Sequence, residues 1–159
     1  MPQPSDGPRA LELYLAGIEP MLLQPAWLGV DDPVERVFAL LAAYRGALVS
    51  THETYGCPIG SLALELHEPD EPVRKLLAAN FNAWVSAIEA CFDDETSRIP
   101  RSVDRRALAI LALTTMEGGV MLARTERRID AFDASVGMFR DYVDRQRTTA
   151  SSPRRSRSR

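Results

Sequence analysis

Residues 107 to 123 read "ALAILALTTMEGGVMLA", a segment that is apolar on almost every side of a helical wheel and broken chiefly by Glu117. A helix without a polar face must be covered all round. A domain of 159 residues covers one side of a helix placed in its terminal half, and a partner must cover the other. Gly118 and Gly119 each cost about 1 kcal/mol of helix stability relative to alanine, so their presence points to close helix approach. The expectation is a homodimer in which this helix and the last one form a four-helix bundle across a two-fold axis. Its candidate interface residues are Leu113, Met116, Gly119, Val120, Met121, Phe132, Val136, Phe139 and Val143. The competing reading is a central core helix wrapped by its own chain. The longest apolar run, Ala107 to Met116, is too short to span a bilayer, so no membrane contact is expected.

The remaining periodic signals are also helical, and no sustained alternation calls for a sheet. A first helix is expected over Pro8 to Leu23, with Leu11, Tyr14, Leu15, Ile18 and Leu22 on one face and Pro20 kinking or ending it. A second opens at "DDP", capped by Asp31 or Asp32, and runs to about Thr51. "PIGSLALELH" forms a short apolar helix or turn. Asp70 caps the next helix, Ser102 opens the one containing the apolar segment, and the last covers about Asp130 to Gln146. The fold class is all-α, a bundle of about six helices over residues 10 to 147, between a disordered start (1 to 9) and a disordered tail (148 to 159).

Charge narrows the function. The tail "SSPRRSRSR" holds four arginines, so the chain's net −3 conceals a body at −7. An acidic body repels phosphate backbones, and no direct nucleic-acid contact is expected. Two cysteines, Cys57 and Cys91, make no disulfide framework, and the N-terminus lacks a signal-peptide pattern; a cytoplasmic setting is expected.

"HETYGCPIGSLALELH", residues 52 to 67, holds both histidines and one cysteine. The spacing of His52, Cys57 and His67 matches no common zinc pattern, and no metal site is expected. Cys57 with His52 as base lacks an orienting third group and any oxyanion-hole motif. The stretch reads best as a joint, with Gly56 and Pro58 ending one helix and starting another.

Several polar residues fall on core-facing stripes. Arg45 and His52 align with Val34, Phe38, Leu41 and Leu48; Asn80 lies between Leu76 and Trp84; Glu117 and Thr115 interrupt the apolar helix. A buried polar group left unpaired costs about 1–3 kcal/mol. These residues therefore either pair internally or serve as handles in a small-molecule cavity. In the second case Phe38, Tyr55, Phe81 and Trp84 wall the cavity beside Leu41, and Arg45, Asn80 and Glu117 orient an apolar effector carrying an acidic or hydrogen-bonding group.

"YGCPIGSLALEL", then "FNAWVSAIEACF", then "MEGGVMLARTERRID" together resemble the C-terminal regulatory domain of the tetracycline-repressor (TetR) family of dimeric transcriptional regulators. The resemblance implies effector binding without a cofactor, dimerisation through the last two helices, and a short helix bearing Leu62 at the border of the effector pocket. Only Met1 to Arg9 precede the first helix, so the family's N-terminal helix-turn-helix is expected to be missing here. The alternatives are a small enzyme using Cys57 or a carboxylate such as Glu65 or Glu117, and a helical interaction module without a ligand. No catalytic motif favours the enzyme.

Overall fold

The computed structural model describes residues 6–66 and 68–151, and every regular element among them is helical. His67 and the arginine-rich tail lie outside these residues. The long helices begin where short acidic side chains can satisfy free backbone N–H groups. Helix α3 (Pro33–Ser50) is capped by Asp32, which accepts from the Val34 and Glu35 amides at 2.8 and 3.2 Å. Asp70 caps α5 (Glu71–Asp93) in the same way. The helix carrying the apolar segment, α6 (Arg105–Glu126), is capped by Asp104, which accepts from Ala107 N–H at 2.9 Å. It therefore starts at Arg105 and not at Ser102. The last helix, α7 (Asp130–Ser151), runs past the expected end near Gln146.

Pro20 neither ends nor sharply breaks the first helix. Helix α1 (Asp6–Gly17) passes into a π-helical turn (Ile18–Leu23) and then into the short α2 (Gln24–Trp27). Proline has no N–H to give, and the Gln24 N–H reaches back five residues to the Glu19 carbonyl. The wider turn absorbs the missing hydrogen bond. With α1 to α2 counted as one bent helix, the architecture has the expected six helical units.

The joint after α3 works differently from the expectation. His52 and Glu53 take left-handed backbone angles (φ 51° and 53°), and the Glu53 N–H closes the helix by donating to the Leu48 carbonyl at 2.8 Å. That is a helix terminator built on non-glycine residues. Gly56 lies against side-chain ends of other elements: a Cβ there would be 2.6 Å from an Arg124 guanidinium nitrogen and 2.8 Å from the Ser61 hydroxyl, so both would have to shift. Pro58 then opens α4 (Pro58–Glu65) at its tolerant first position.

Helix α5 is the hub, packed against α1, α3, α4 and α6. Its Ile88 and Phe92 are fully buried, as are Leu40, Leu41 and Leu48 of α3. Helices α6 and α7 pack closely at Gly119, where a Cβ would lie 2.8 Å from the Phe132 ring. That contact is the close approach expected of the glycine pair, and it forms within one chain.

The same packing corrects the candidate interface. Gly119, Met116, Val120, Phe132, Phe139 and Val143 are buried inside the subunit, so they form the inner face of the α6–α7 pair and are not available to a partner. Leu113 and Val136 are half-buried against the core. Of the named residues only Met121 is exposed, at 50%. The outer face carries Ile110, Leu111, Met121 and Leu122 from α6 with Met138 and Tyr142 from α7, all exposed. The apolar segment is thus sheltered on one side and bare on the other.

Candidate functional site

Between α1, its π-helical turn, α3, α4, α5 and α6 lies a cavity of about 430 Å³. Its walls are mainly apolar and aromatic: Leu13, Ile18, Met21 and Leu22 from the first helix, Tyr44 from α3, Tyr55 and Ile59 from the joint, Phe81 and Trp84 from α5, Leu113 and Met116 from α6. The size and character suit a drug-sized organic molecule. The π-helical turn supplies much of one wall, so Pro20 shapes the site it does not touch.

Two buried oxygens of residues lining this cavity, Asn80 Oδ1 and Glu117 Oε1, have no hydrogen-bond partner, while the Trp84 indole N–H is aimed at the Tyr44 hydroxyl. Their orientation is not accidental. The Asn80 amide nitrogen donates to the Leu11 carbonyl at 3.1 Å and to the Leu76 carbonyl at 2.9 Å. Those two bonds fix the side-chain oxygen as an acceptor and tie α1 to α5. Glu117 is pressed against α4: a Cβ on Gly60 would lie 2.2 Å from Glu117 Oε2, so glycine makes room for the carboxyl.

The electrostatics follow from burial. Desolvation pushes the Glu117 carboxyl above the ordinary carboxylate range, partly offset by a hydrogen bond from the Cys57 thiol. Burial, with the nearby Glu117 charge adding to it, pushes the Cys57 thiol up to about 12. A thiol held protonated at neutral pH is a poor nucleophile. His52 is exposed at the end of α3, in a left-handed backbone. Neither fact favours the Cys57–His52 nucleophile. Burial also raises Tyr55, to about 12, and Tyr44 further still.

Of the nine residues the sequence offers as ligand-binding candidates, Tyr55, Asn80, Phe81, Trp84 and Glu117 line the cavity. Phe38, Leu41, Arg45 and Leu62 do not. Arg45 lies on the surface in a two-pronged ion pair with Asp133, at 2.7 and 2.8 Å. Phe38 stacks at 5.6 Å from Phe139 and lies under the Arg140 guanidinium. Leu41 is sealed in the core, and Leu62 packs at its edge. This face of α3 looks toward α7, where Glu35 also meets Arg140 and Asp32 meets Arg147. The cavity takes the neighbouring face, and Tyr44 is its residue there. Tyr44 was legible as an aromatic three positions after Leu41, carrying a hydroxyl that a pure core position would not need. Met116 and Leu113 face the cavity from α6 although the sequence pattern suggested an outer role for them.

A second, more open cleft of about 650 Å³ lies on the α4–α6 side, lined in part by Ser61, Leu64, Gly118, Met121, Arg124 and Arg127. It shares Cys57, Phe81 and Glu117 with the cavity, which makes these three the partition between the two spaces.

The comparisons with known proteins agree with this architecture. Residues 33–136 match the TetR-type family model described as "Transcriptional regulator LmrA/YxaF-like, C-terminal domain". An uncharacterised HTH-type transcriptional regulator of Mycobacterium tuberculosis is 30% identical over 132 residues, covering 80% of this chain and 64% of that protein. The HTH-type transcriptional repressor DhaR of a Mycobacterium species is 29% identical over 103 residues, or 64% of this chain and half of the relative. The chain therefore spans about two-thirds or less of the curated relatives it matches. In fold it is similar to the crystal structure of the regulatory protein TetR from Rhodobacter sphaeroides, with a TM-score of 0.75 and 22% identity over 84% of this chain and 71% of that one. With a six-unit helical bundle around a central cavity and a family match across most of its length, this chain belongs to the LmrA/YxaF-like C-terminal domains of TetR-type transcriptional regulators.

Proposed function

We propose that this chain is a small-molecule-sensing, dimerising regulatory domain, the part of a transcriptional regulator that converts effector binding into a change of helix arrangement. The observation that carries this reading is an otherwise apolar cavity of about 430 Å³ whose lining includes Asn80 and Glu117, each with a buried side-chain oxygen left unpaired. Leaving such groups unpaired costs about 1–3 kcal/mol each, which a bound ligand would recover. A molecule that fills the space and pairs them stabilises the folded state.

Coupling runs through α6. Glu117 and Met116 face the cavity, while Ile110, Leu111, Met121 and Leu122 of the same helix form the exposed apolar face. The partner for that face is a second copy, related by a two-fold axis that also brings Met138 and Tyr142 of α7 into contact. An effector that favours one position of α6 then favours one dimer arrangement, which is population shift with a stated lever. The HTH-type relatives suggest that the arrangement is read at DNA, by parts of the regulator other than this helical bundle.

Thermal unfolding against a panel of apolar and weakly polar aromatic compounds tests the sensing. Binders should raise the melting temperature progressively with ligand concentration, and Trp84→Phe, which removes part of the aromatic wall, should weaken the response. A panel that leaves the melting temperature unmoved throughout would make the domain an interaction module with no effector.

A further inference from the structure

The unpaired side-chain oxygens of the cavity lining belong to one amide and one carboxyl. Asn80 Oδ1 and Glu117 Oε1 are without partners, and the Trp84 indole N–H beside them is taken by the Tyr44 hydroxyl. Glu117 is the one carboxyl in the lining, and no Lys, Arg or His lines the cavity among the described residues. Arg45, the cation that would have received an acidic effector, is committed to Asp133 on the surface. An anionic ligand would meet a carboxyl and no counter-charge. Its desolvation would go unrepaid. A cation meets the opposite arrangement: a carboxyl oxygen with no partner, an amide oxygen held in place by two backbone bonds, and the aromatic side chains of Tyr44, Tyr55, Phe81 and Trp84, all of which line the space. Aromatic faces attract cations electrostatically, most strongly when water is excluded.

Resting on the sensing function proposed above, we infer that the effector is a lipophilic amine, bound as its ammonium, with the cationic nitrogen between Glu117 and Asn80 and the apolar body against the aromatic walls. Gly60 belongs to this site. Any side chain there would drive into the carboxyl, so glycine keeps Glu117 at the cavity wall instead of turning it out to water. The thiol of Cys57 also lies against this carboxyl, and Glu117 Oε1 has no partner within the chain.

Phenylbutylamine and phenylbutanol make a matched pair that differs in charge and little else. Titrated into the intact chain and followed by tryptophan fluorescence, with Trp27→Phe leaving Trp84 as the reporter, the amine should bind at least about tenfold more tightly than the alcohol. Glu117→Gln should reduce that ratio to about twofold or less while leaving alcohol binding within about threefold. Equal affinity for both probes in the unmutated chain overturns the amine inference and leaves the sensing function standing. So does an amine preference that survives Glu117→Gln. If neither probe binds and no compound of the thermal panel does, both readings fall together. The comparison of the two probes needs no substitution at Glu117, so poor folding of that variant would not shield the inference.

Discussion

Glu117 interrupts an apolar helix, and its position explains two other residues. Gly60 clears space for it, Cys57 donates to it, and burial holds its carboxyl above the ordinary range. A carboxyl with a raised folded-state pKa binds its proton more tightly folded than unfolded, so its contribution to stability is fully present below the unfolded value and fades as pH rises through the folded one. Denaturant titrations of Glu117→Gln should therefore match the unmutated chain well below pH 4.5, the ordinary value, and show the variant as the more stable at neutral pH. A difference that stays constant with pH would mean that Glu117 is not desolvated. Gly60→Ala gives a second reading at this scale. The added methyl displaces the carboxyl, so effector-induced stabilisation should be lost while the fold, followed by circular dichroism, persists at a cost of about 1–3 kcal/mol.

The elements are held together by contacts of unequal worth. Helix α7 lies along α3 through Asp133–Arg45, Arg140–Glu35 and Arg147–Asp32, acceptor and donor residues that recur every seventh position on α7. The first two pairs are partly exposed, and such pairs contribute about 0.2–1 kcal/mol each. The apolar seam beneath them matters more. Adjacent glycines in α6 give a direct comparison: at Gly119 a methyl meets the Phe132 ring at 2.8 Å, whereas at Gly118 it meets nothing within 4 Å. Gly119→Ala should lower stability by about 1–3 kcal/mol through overpacking. In a chain held monomeric, Gly118→Ala should raise it by up to about 1 kcal/mol through helix propensity. Urea midpoints of the two variants check both, and equal effects would contradict the inward and outward assignment of the pair.

For the whole molecule the exposed face of α6 and α7 is the decisive surface. Met121 and Leu122 at 50% and 40% exposure, with Met138 at 65%, leave large apolar side chains of both helices bare, the kind of surface that marks an interaction site when contiguous. Light scattering at micromolar concentration should give twice the chain mass, and Met121→Glu should give one chain mass with an unchanged helical spectrum. A monomer in both cases would remove the dimer from the mechanism and leave only the cavity.

How much of this was legible in the sequence differs by scale. Helix number, the acidic caps at Asp32 and Asp70, and the all-α class follow from local chemistry, because caps and periodicity act within a few residues of themselves. Asn80 and Glu117 were readable as polar groups on apolar stripes, since buried polarity is costly wherever it occurs, and Trp84 as part of an aromatic wall. What periodicity does not contain is which of two adjacent stripes faces which neighbour. Arg45 and Tyr44 are one residue apart on α3, yet one lies on the surface beside Asp133 and the other on the cavity wall. Gly118 and Gly119 divide in the same way between outside and inside. The sequence by itself determined that a bundle forms and that an all-apolar helix must be covered. Only the tertiary structure decided which side its own chain covers, because that depends on how α5 and α7 cross α6, a relation among segments far apart in the chain.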